Sequence, residues 1–92
     1  MEKELIFITV IGKDQKGIVA KISNLLYKKN INIEDIVQKI IQEHFVMAMM
    51  VDIKDAKCSL EKLSRELTEL GKKLNLIIQV HHENIFKMMH RI

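Results

Sequence analysis

Apolar residues recur along this chain with two different periods, and the order in which these periods alternate restricts the fold more than any other feature. A continuous apolar run at residues 5–11, too short for a typical helix and closed by Gly12, predicts a buried first strand. From residue 17 to 29 the apolar side chains fall on one face of a helix, and Asn30 is well suited to end it. The chain therefore begins with a strand followed by a helix.

The next stretch predicts a hairpin of two strands. Residues 31–43 form the second strand, in which the apolar phase shifts between Ile33 and Ile36 as it does at a β-bulge. His44 is placed at the turn, and residues 45–53 form the third strand. One face of that strand carries Phe45, Met47, Met49, Val51 and Ile53.

A leucine seam then predicts a second helix, because its members repeat at spacings of three and four residues. The seam consists of Leu60, Leu63, Leu67, Leu70 and Leu74. Ser59 is suited to cap this helix and Asn75 to end it, after which residues 76–81 form the fourth strand. Residues 84–92 are expected to add a helical turn or two with an apolar surface made by Ile85, Phe86, Met88, Met89 and Ile92.

This order of elements predicts an α+β fold, a ferredoxin-like βαββαβ sandwich. Its simplest form is a four-stranded antiparallel sheet with both helices on one face. We expect one domain over residues 1–92, with a core at residues 4–83 and a short C-terminal helical extension at residues 84–92. Strands one and three are apolar on both faces, so we expect residues 85–92, another subunit or both to cover the face without helices.

Composition excludes several classes of function. Cys58 is the only cysteine, which rules out an intrachain disulfide and a zinc knuckle and fits a reducing cytoplasm. The formal charge of +3 is spread along the chain, so a nucleic-acid partner is not expected. Residues 1–5 alternate charged and apolar side chains and lead into no long apolar stretch, so neither a signal peptide nor a membrane span is expected. Phe7 and Phe45 are assigned to the same buried face, which makes RNA binding on exposed aromatic side chains a weaker alternative.

No catalytic or metal-binding arrangement is predicted. Gly12 and Gly17 have the spacing of a phosphate-binding loop, but Ile18 follows where a lysine would be needed. His81 and His82 are neighbours on a predicted strand and point to opposite faces, so they cannot chelate one ion. The chain is therefore expected to bind a ligand or a partner, without a cofactor and without catalysing a reaction.

The loop GKDQKGIV at residues 12–19, the strand NIEDI at residues 32–36 and the closing MHRI at residues 89–92 resemble the ACT domain family. The resemblance extends over the whole length and is greatest to stand-alone, single-domain ACT proteins of bacteria and archaea. It implies a ferredoxin-like module that binds small molecules, often amino acids, and reports their presence to an enzyme or a regulator.

Residue chemistry gives this implied role a physical basis. Gly12 permits a tight turn, and Gly17 lets a ligand approach the first amides of helix one, including that of Ile18, where the positive end of the helix dipole suits a carboxylate. Asp14 is suited to accept the ligand's ammonium group. Two alternatives stay open, since Gly12 also permits close packing of a helix on the sheet and Asp14 also suits the role of helix cap.

Geometry adds a prediction of a homodimer. If the strand order is four, one, three, two, then strand two is an edge that needs a partner strand. Antiparallel pairing of strand two with itself brings Asn32 beside the Gly12 loop of the other subunit, as in the side-by-side dimer common in the family. Asn32 is equally acceptable as an exposed strand residue. The leading hypothesis is a homodimeric sensor of an amino acid or similar small carboxylate, and the alternative is a protein interaction adaptor without a small ligand.

Overall fold

The computed structural model describes residues 2–82 as four strands and two helices. The elements in chain order are β1 (Leu5–Lys13), α1 (Ile18–Lys28), β2 (Asn32–Ile41), β3 (His44–Asp52), α2 (Leu60–Leu74) and β4 (Leu76–His82). All pairings are antiparallel, and the sheet order is β2-β3-β1-β4. The predicted βαββαβ order and the edge position of the second strand are confirmed. The helical extension predicted at residues 84–92 lies outside the described residues.

The core lies between one face of the sheet and both helices, as predicted. Each of the elements that meet there contributes side chains that are almost completely buried. They include Ile6, Ile8 and Val10 of β1, Ile18, Ile22 and Leu26 of α1, Met47, Met49 and Val51 of β3, and Leu63 and Leu67 of α2. Burying one such side chain stabilises a fold by about 1.5 to 3 kcal/mol, so this layer holds the loops between the elements in place. Of the predicted leucine seam, only Leu60, the first residue of α2, is exposed.

The opposite face of the sheet is covered by neither helix, and Phe7 lies on it. Phe7 pairs with Met50, whereas Phe45 pairs with Gly12 and is buried on the core face. The prediction that the two phenylalanines share a face is therefore wrong. The apolar run of β1 has no alternation from which the sequence could assign its two faces, and the packing of the helices decides which residues turn inward.

Most of the predicted element ends are confirmed. Ser59 caps α2, its Oγ accepting from the Lys62 amide at 3.1 Å. Asn30 and Asn75 both adopt the left-handed conformation with φ of 60°. The strand bulge falls between Ile33 and Asp35, as the phase shift indicated. Within residues 2–82, neither helix has the length and apolarity that a bilayer crossing requires.

The turn between β2 and β3 differs from the prediction. It is made by Gln42 and Glu43, with φ of 46° and 70°, and His44 is the first residue of β3. Two-residue hairpin turns of type I′ need positive φ at both central residues, which is why glycine and asparagine are their usual sequence signal. Gln-Glu carries no such signal, and the prediction that His44 lies at the turn is wrong.

Candidate functional site

Two hydrogen bonds fix the loop between β1 and α1. The Asp14 amide donates to the Glu43 carbonyl oxygen at 3.0 Å, which joins the loop to the turn of the hairpin. The Gln15 side chain donates from Nε2 to the Leu74 carbonyl oxygen at 2.6 Å, at the C-terminal end of α2. The loop is thus held from both sides, while the Asp14 side chain is exposed and has no hydrogen-bond partner within residues 2–82.

Helix α1 begins without a side-chain cap. Its N-cap residue is Gly17, with φ of 84° and ψ of 7°, and its first turn contains no acidic residue. A Cβ atom at Gly17 would meet only Lys21 Cε at 3.7 Å, so the glycine serves the left-handed conformation and not close packing. Because Asp14 does not cap the helix, the alternative that confined it to that role is not realised. The first amides of α1 and the helix dipole are therefore directed at the loop, in an arrangement that suits an anion.

Two of the predicted site residues, Ile18 and Gly12, serve the packing of the fold. Ile18 is buried in the core and only 2% exposed. Its backbone amide, and not its side chain, is therefore available at the loop. Gly12 lies inside β1, paired with Phe45 and Leu76, and does not make the predicted tight turn. A Cβ atom there would lie 2.5 Å from Leu76 Cδ2 and 3.1 Å from the Asn75 carbonyl oxygen. Close packing against the start of β4, and not the expected packing of a helix on the sheet, accounts for this glycine.

Asn32 lies at the other end of the sheet. The pairings place Lys13 beside His44 and His44 beside Ile41, whereas Leu5 and Asn32 both pair with Asp52. At about 3.3 Å per residue, the seven steps along β1 from Leu5 to Gly12 separate the two ends by roughly 23 Å. A single chain therefore brings Gly12, Asp14, Gly17 and Ile18 together and leaves Asn32 apart from them.

The surroundings of Asn32 are polar. Its Nδ2 donates to the Glu34 carboxylate, which the Lys3 ammonium group also contacts. The hydrogen bond from Lys3, followed by that from Asn32, lowers the pKa of Glu34 below its usual range. Asn32 also borders a depression of about 270 Å³ lined by Tyr27, Asn30, Ile31, Asp52 and Asp55. The Oδ1 atom of Asn32 has no hydrogen-bond partner in the described part of the chain and remains available as an acceptor.

Comparison with known proteins now assigns the family. The family model of the ACT domain matches residues 4–81. The chain belongs to the ACT domain family. A UPF0237 protein from Pyrobaculum aerophilum is 47% identical over 89 residues, which are 97% of this chain and 99% of that protein. The resemblance noted in the sequence is therefore confirmed.

Solved structures agree with this assignment. An ACT domain protein from Streptococcus pneumoniae superposes with a TM-score of 0.80 and 35% identity, covering 92% of this chain and 96% of that one. The regulatory subunit of aspartate kinase from Thermus thermophilus shares the fold, with a TM-score of 0.66 and 22% identity, over 87% of this chain and 52% of that chain. The ACT fold thus occurs both as a nearly full-length match and within a longer regulatory chain.

Sequence reasoning missed one feature of this ACT domain, the residues that surround Asn32. Tyr27 is 80% exposed although it is a large aromatic side chain, and it lines the depression beside Asn32. Its signal was present, since Tyr27 is the only tyrosine and lies off the helical face of Ile18 and Ile22. Asp52 gave no comparable signal, because its proximity to Asn32 depends on the strand register.

Outside the loop, the metal-binding and reactive side chains within residues 2–82 do not form a second site. No group of three or more histidine, cysteine or acidic side chains that could hold a metal ion occurs among residues 2–82. Cys58 is half-buried and packs against the core. Lys29 Nζ lies 2.8 Å from Glu66 Oε2 and joins the two helices, which lowers the pKa of Glu66.

Proposed function

We propose that this ACT domain is a non-catalytic regulatory module that binds an amino acid or a similar small carboxylate and works as a homodimer. The observation that carries the proposal is the start of α1, which has no side-chain cap and lies beside the exposed Asp14. The ligand's carboxylate accepts from the first amides of α1, and Asp14 binds its ammonium group. Each hydrogen bond to a charged group contributes about 1.5 to 3 kcal/mol, so a few give micromolar to millimolar affinity.

The exposed edge of the sheet supports the homodimer. β2 is ten residues long and pairs with β3 on one side only among the described strands. Apolar side chains along it are exposed to an unusual degree: Ile36 by 39%, Val37 by 64%, Ile40 by 62% and Ile41 by 53%. An edge of this length and composition promotes aggregation unless another strand covers it. Pairing with β2 of a second copy satisfies the backbone and buries these side chains.

Antiparallel pairing also completes the site. About a two-fold axis, the Asn32 end of one β2 lies beside the Ile41 end of the other. Because the Asp14 amide donates to the Glu43 carbonyl oxygen, the loop before α1 lies next to the Ile41 end of β2 in its own chain. Asn32 of the partner subunit thereby approaches Asp14, and its free Oδ1 supplies a second acceptor for the ammonium group. The separation of Asn32 from Asp14 within one chain therefore supports a site that lies between two chains.

The regulatory part of the proposal draws on a fold neighbour. That neighbour is the regulatory subunit of aspartate kinase in Thermus thermophilus. By analogy, the partner here is an enzyme or regulator that responds to the ligand-bound dimer. Residues 1–92 act as one module in this proposal, and the single, half-buried Cys58 suits a reducing cytoplasm.

A thermal-shift screen of the standard amino acids tests the proposal. A ligand at about one hundred times its Kd stabilises the folded state by about 2.7 kcal/mol, which gives a readily measured rise in Tm. We expect Asp14→Ala and Asn32→Ala to abolish the rise, and Glu69→Ala, an exposed change on α2, to leave it intact. The proposal fails if no amino acid raises the Tm at millimolar concentration, or if both loop and strand variants keep the ligand's affinity.

A second candidate function, as a protein interaction adaptor, is favoured by one specific observation. Ile11 and Ile77 are neighbours on the face without helices, and they are 47% and 63% exposed. Capture of partners from the native cell extract by the wild-type chain and by Ile77→Ser distinguishes the two functions. An adaptor loses its partner in the variant, whereas ligand binding at the α1 loop is unaffected.

A further inference from the structure

The sheet face without helices is not uniformly exposed. Along β1, Leu5 and Phe7 are half-buried, whereas Ile11 is 47% exposed. Along β4, His81 is half-buried, whereas Ile77 is 63% exposed. Both gradients run in the same direction, since Phe7 pairs with His81 and Ile11 pairs with Ile77. On β1 and β4 the less exposed half is the half at which β4 ends, and in that half of β3 Met50 is also half-buried.

That half carries an apolar surface, here called the Phe7 patch and defined as Leu5, Phe7, Ala48 and Met50. The patch includes a depression of about 360 Å³ that Phe7, Ala48 and Met50 help to line. Its polar neighbours Thr9 and His81 satisfy each other through a hydrogen bond of 3.0 Å between Oγ1 and Nε2. The patch is thus apolar and concave, which are the properties of a surface that another apolar group covers.

We propose that the C-terminal segment of the same chain, residues 83–92, binds over the Phe7 patch. The segment starts at the border of this patch. β4 ends at His82, which pairs with Ile6, so the segment leaves the sheet directly beside Phe7. Met50 lies on β3, two strands from β4, a distance of about 10 Å. Ten residues span about 15 Å as a helix and about 33 Å when extended, and either length reaches the patch.

The composition of the segment also matches the patch. Half of its ten residues are apolar, at spacings that place several of them on one side of a helix. These residues are Ile85, Phe86, Met88, Met89 and Ile92. Its charged residues are mainly basic, with Lys87 and Arg91 against Glu83, and the patch is flanked by Asp35 and Asp52 at the pairing partners of Met50 and Leu5. The apolar residues of the segment therefore match the apolar patch, and its basic residues match the aspartates that flank the patch.

Tethering favours this segment over a second copy of the chain as the group that covers the patch. A segment tethered at the border of its binding surface acts at an effective concentration in the millimolar range. A second copy at micromolar concentration competes poorly for the same patch. The segment therefore occupies the Phe7 patch, while the edge of β2 remains free for the homodimer.

Thiol reactivity measures whether the patch is covered. In a Cys58→Ala chain, Met50→Cys puts the only thiol in the patch, and Ile77→Cys puts it at the uncovered end of the same face. Each variant is prepared in two lengths, as residues 1–92 and as residues 1–82. The reaction of its thiol with Ellman's reagent is then followed. Removal of the segment is expected to speed the reaction at position 50 by about tenfold or more, and to leave position 77 within about twofold.

Equal rates at position 50 with and without the segment overturn the proposal. A reaction at position 50 that slows as the protein concentration rises also overturns the proposal, because a second copy would then cover the patch. Nuclear Overhauser contacts in the unsubstituted chain provide a second measurement that does not depend on the folding of any variant. The proposal requires contacts between the Met50 methyl group and side chains of residues 83–92, and their absence in a folded sample contradicts it.

Discussion

Replacing Gly71 by alanine sets helix propensity against packing, and the structure decides the sign. Gly71 lies inside α2, where alanine is favoured over glycine by about 0.8 to 1 kcal/mol. A Cβ atom at this buried position would lie 2.7 Å from the Leu76 carbonyl oxygen and 3.2 Å from Ile78 Cγ1. The nearer atom belongs to the backbone at the start of β4 and cannot rotate away, so helix and strand must move apart.

Overpacking of this kind costs about 1 to 3 kcal/mol, which exceeds the gain in propensity. We expect Gly71→Ala to destabilise the fold by about 1 kcal/mol and to lower its Tm by about 4 to 8 °C. Thermal unfolding followed by circular dichroism measures the change. A matched control is the difference between Glu69→Ala and Glu69→Gly, which reports the propensity term at an exposed position of the same helix. A Tm equal to or above that of the wild type refutes the packing argument.

Three further predictions concern single side chains. Ser59→Ala removes the α2 cap and is expected to cost about 1 kcal/mol in urea unfolding, without a change in the m-value. Asp14→Ala is expected to change the unfolding free energy of the ligand-free chain by less than about 0.5 kcal/mol, because the side chain is exposed and makes no hydrogen bond within residues 2–82. Hydrogen bonds from the Lys54 and Glu4 amides lower the pKa of Asp52. The stability they confer is complete above the unfolded carboxyl pKa of about 4 and is lost as the pH falls through the lower folded pKa, so Tm against pH should fall less steeply in Asp52→Asn than in the wild type.

The order of elements could be read from the sequence because each helix and strand has a distinct apolar period and local end signals. Ser59 and Asn75 mark α2 without reference to the rest of the fold. The inward face of β1 could not be read, because Leu5 to Ile11 are apolar at nearly every position. Only the contacts with the two helices decide that Ile8 is buried and Phe7 is on the other face.

The candidate site was predictable in part for a similar reason. The loop before α1 is local, so its glycines and Asp14 could be identified as neighbours of a helix N-terminus. The role of Gly12 depends on the approach of Leu76, which is distant in sequence and unrelated to any local pattern. The position of Asn32, far from the loop of its own chain, follows only from the strand register.

Complementation between two inactive variants tests most directly whether a site for a small carboxylate lies between two chains. Asp14→Ala and Asn32→Ala chains are mixed in equal amounts after unfolding and refolding, and the amino acid with the largest thermal shift is titrated by calorimetry. Half of the resulting dimers contain one chain of each kind, and each such dimer regains one of its two sites, so binding should return to about a quarter of all sites. Binding that stays absent in the mixture, or that either variant shows alone, contradicts a site shared between two subunits.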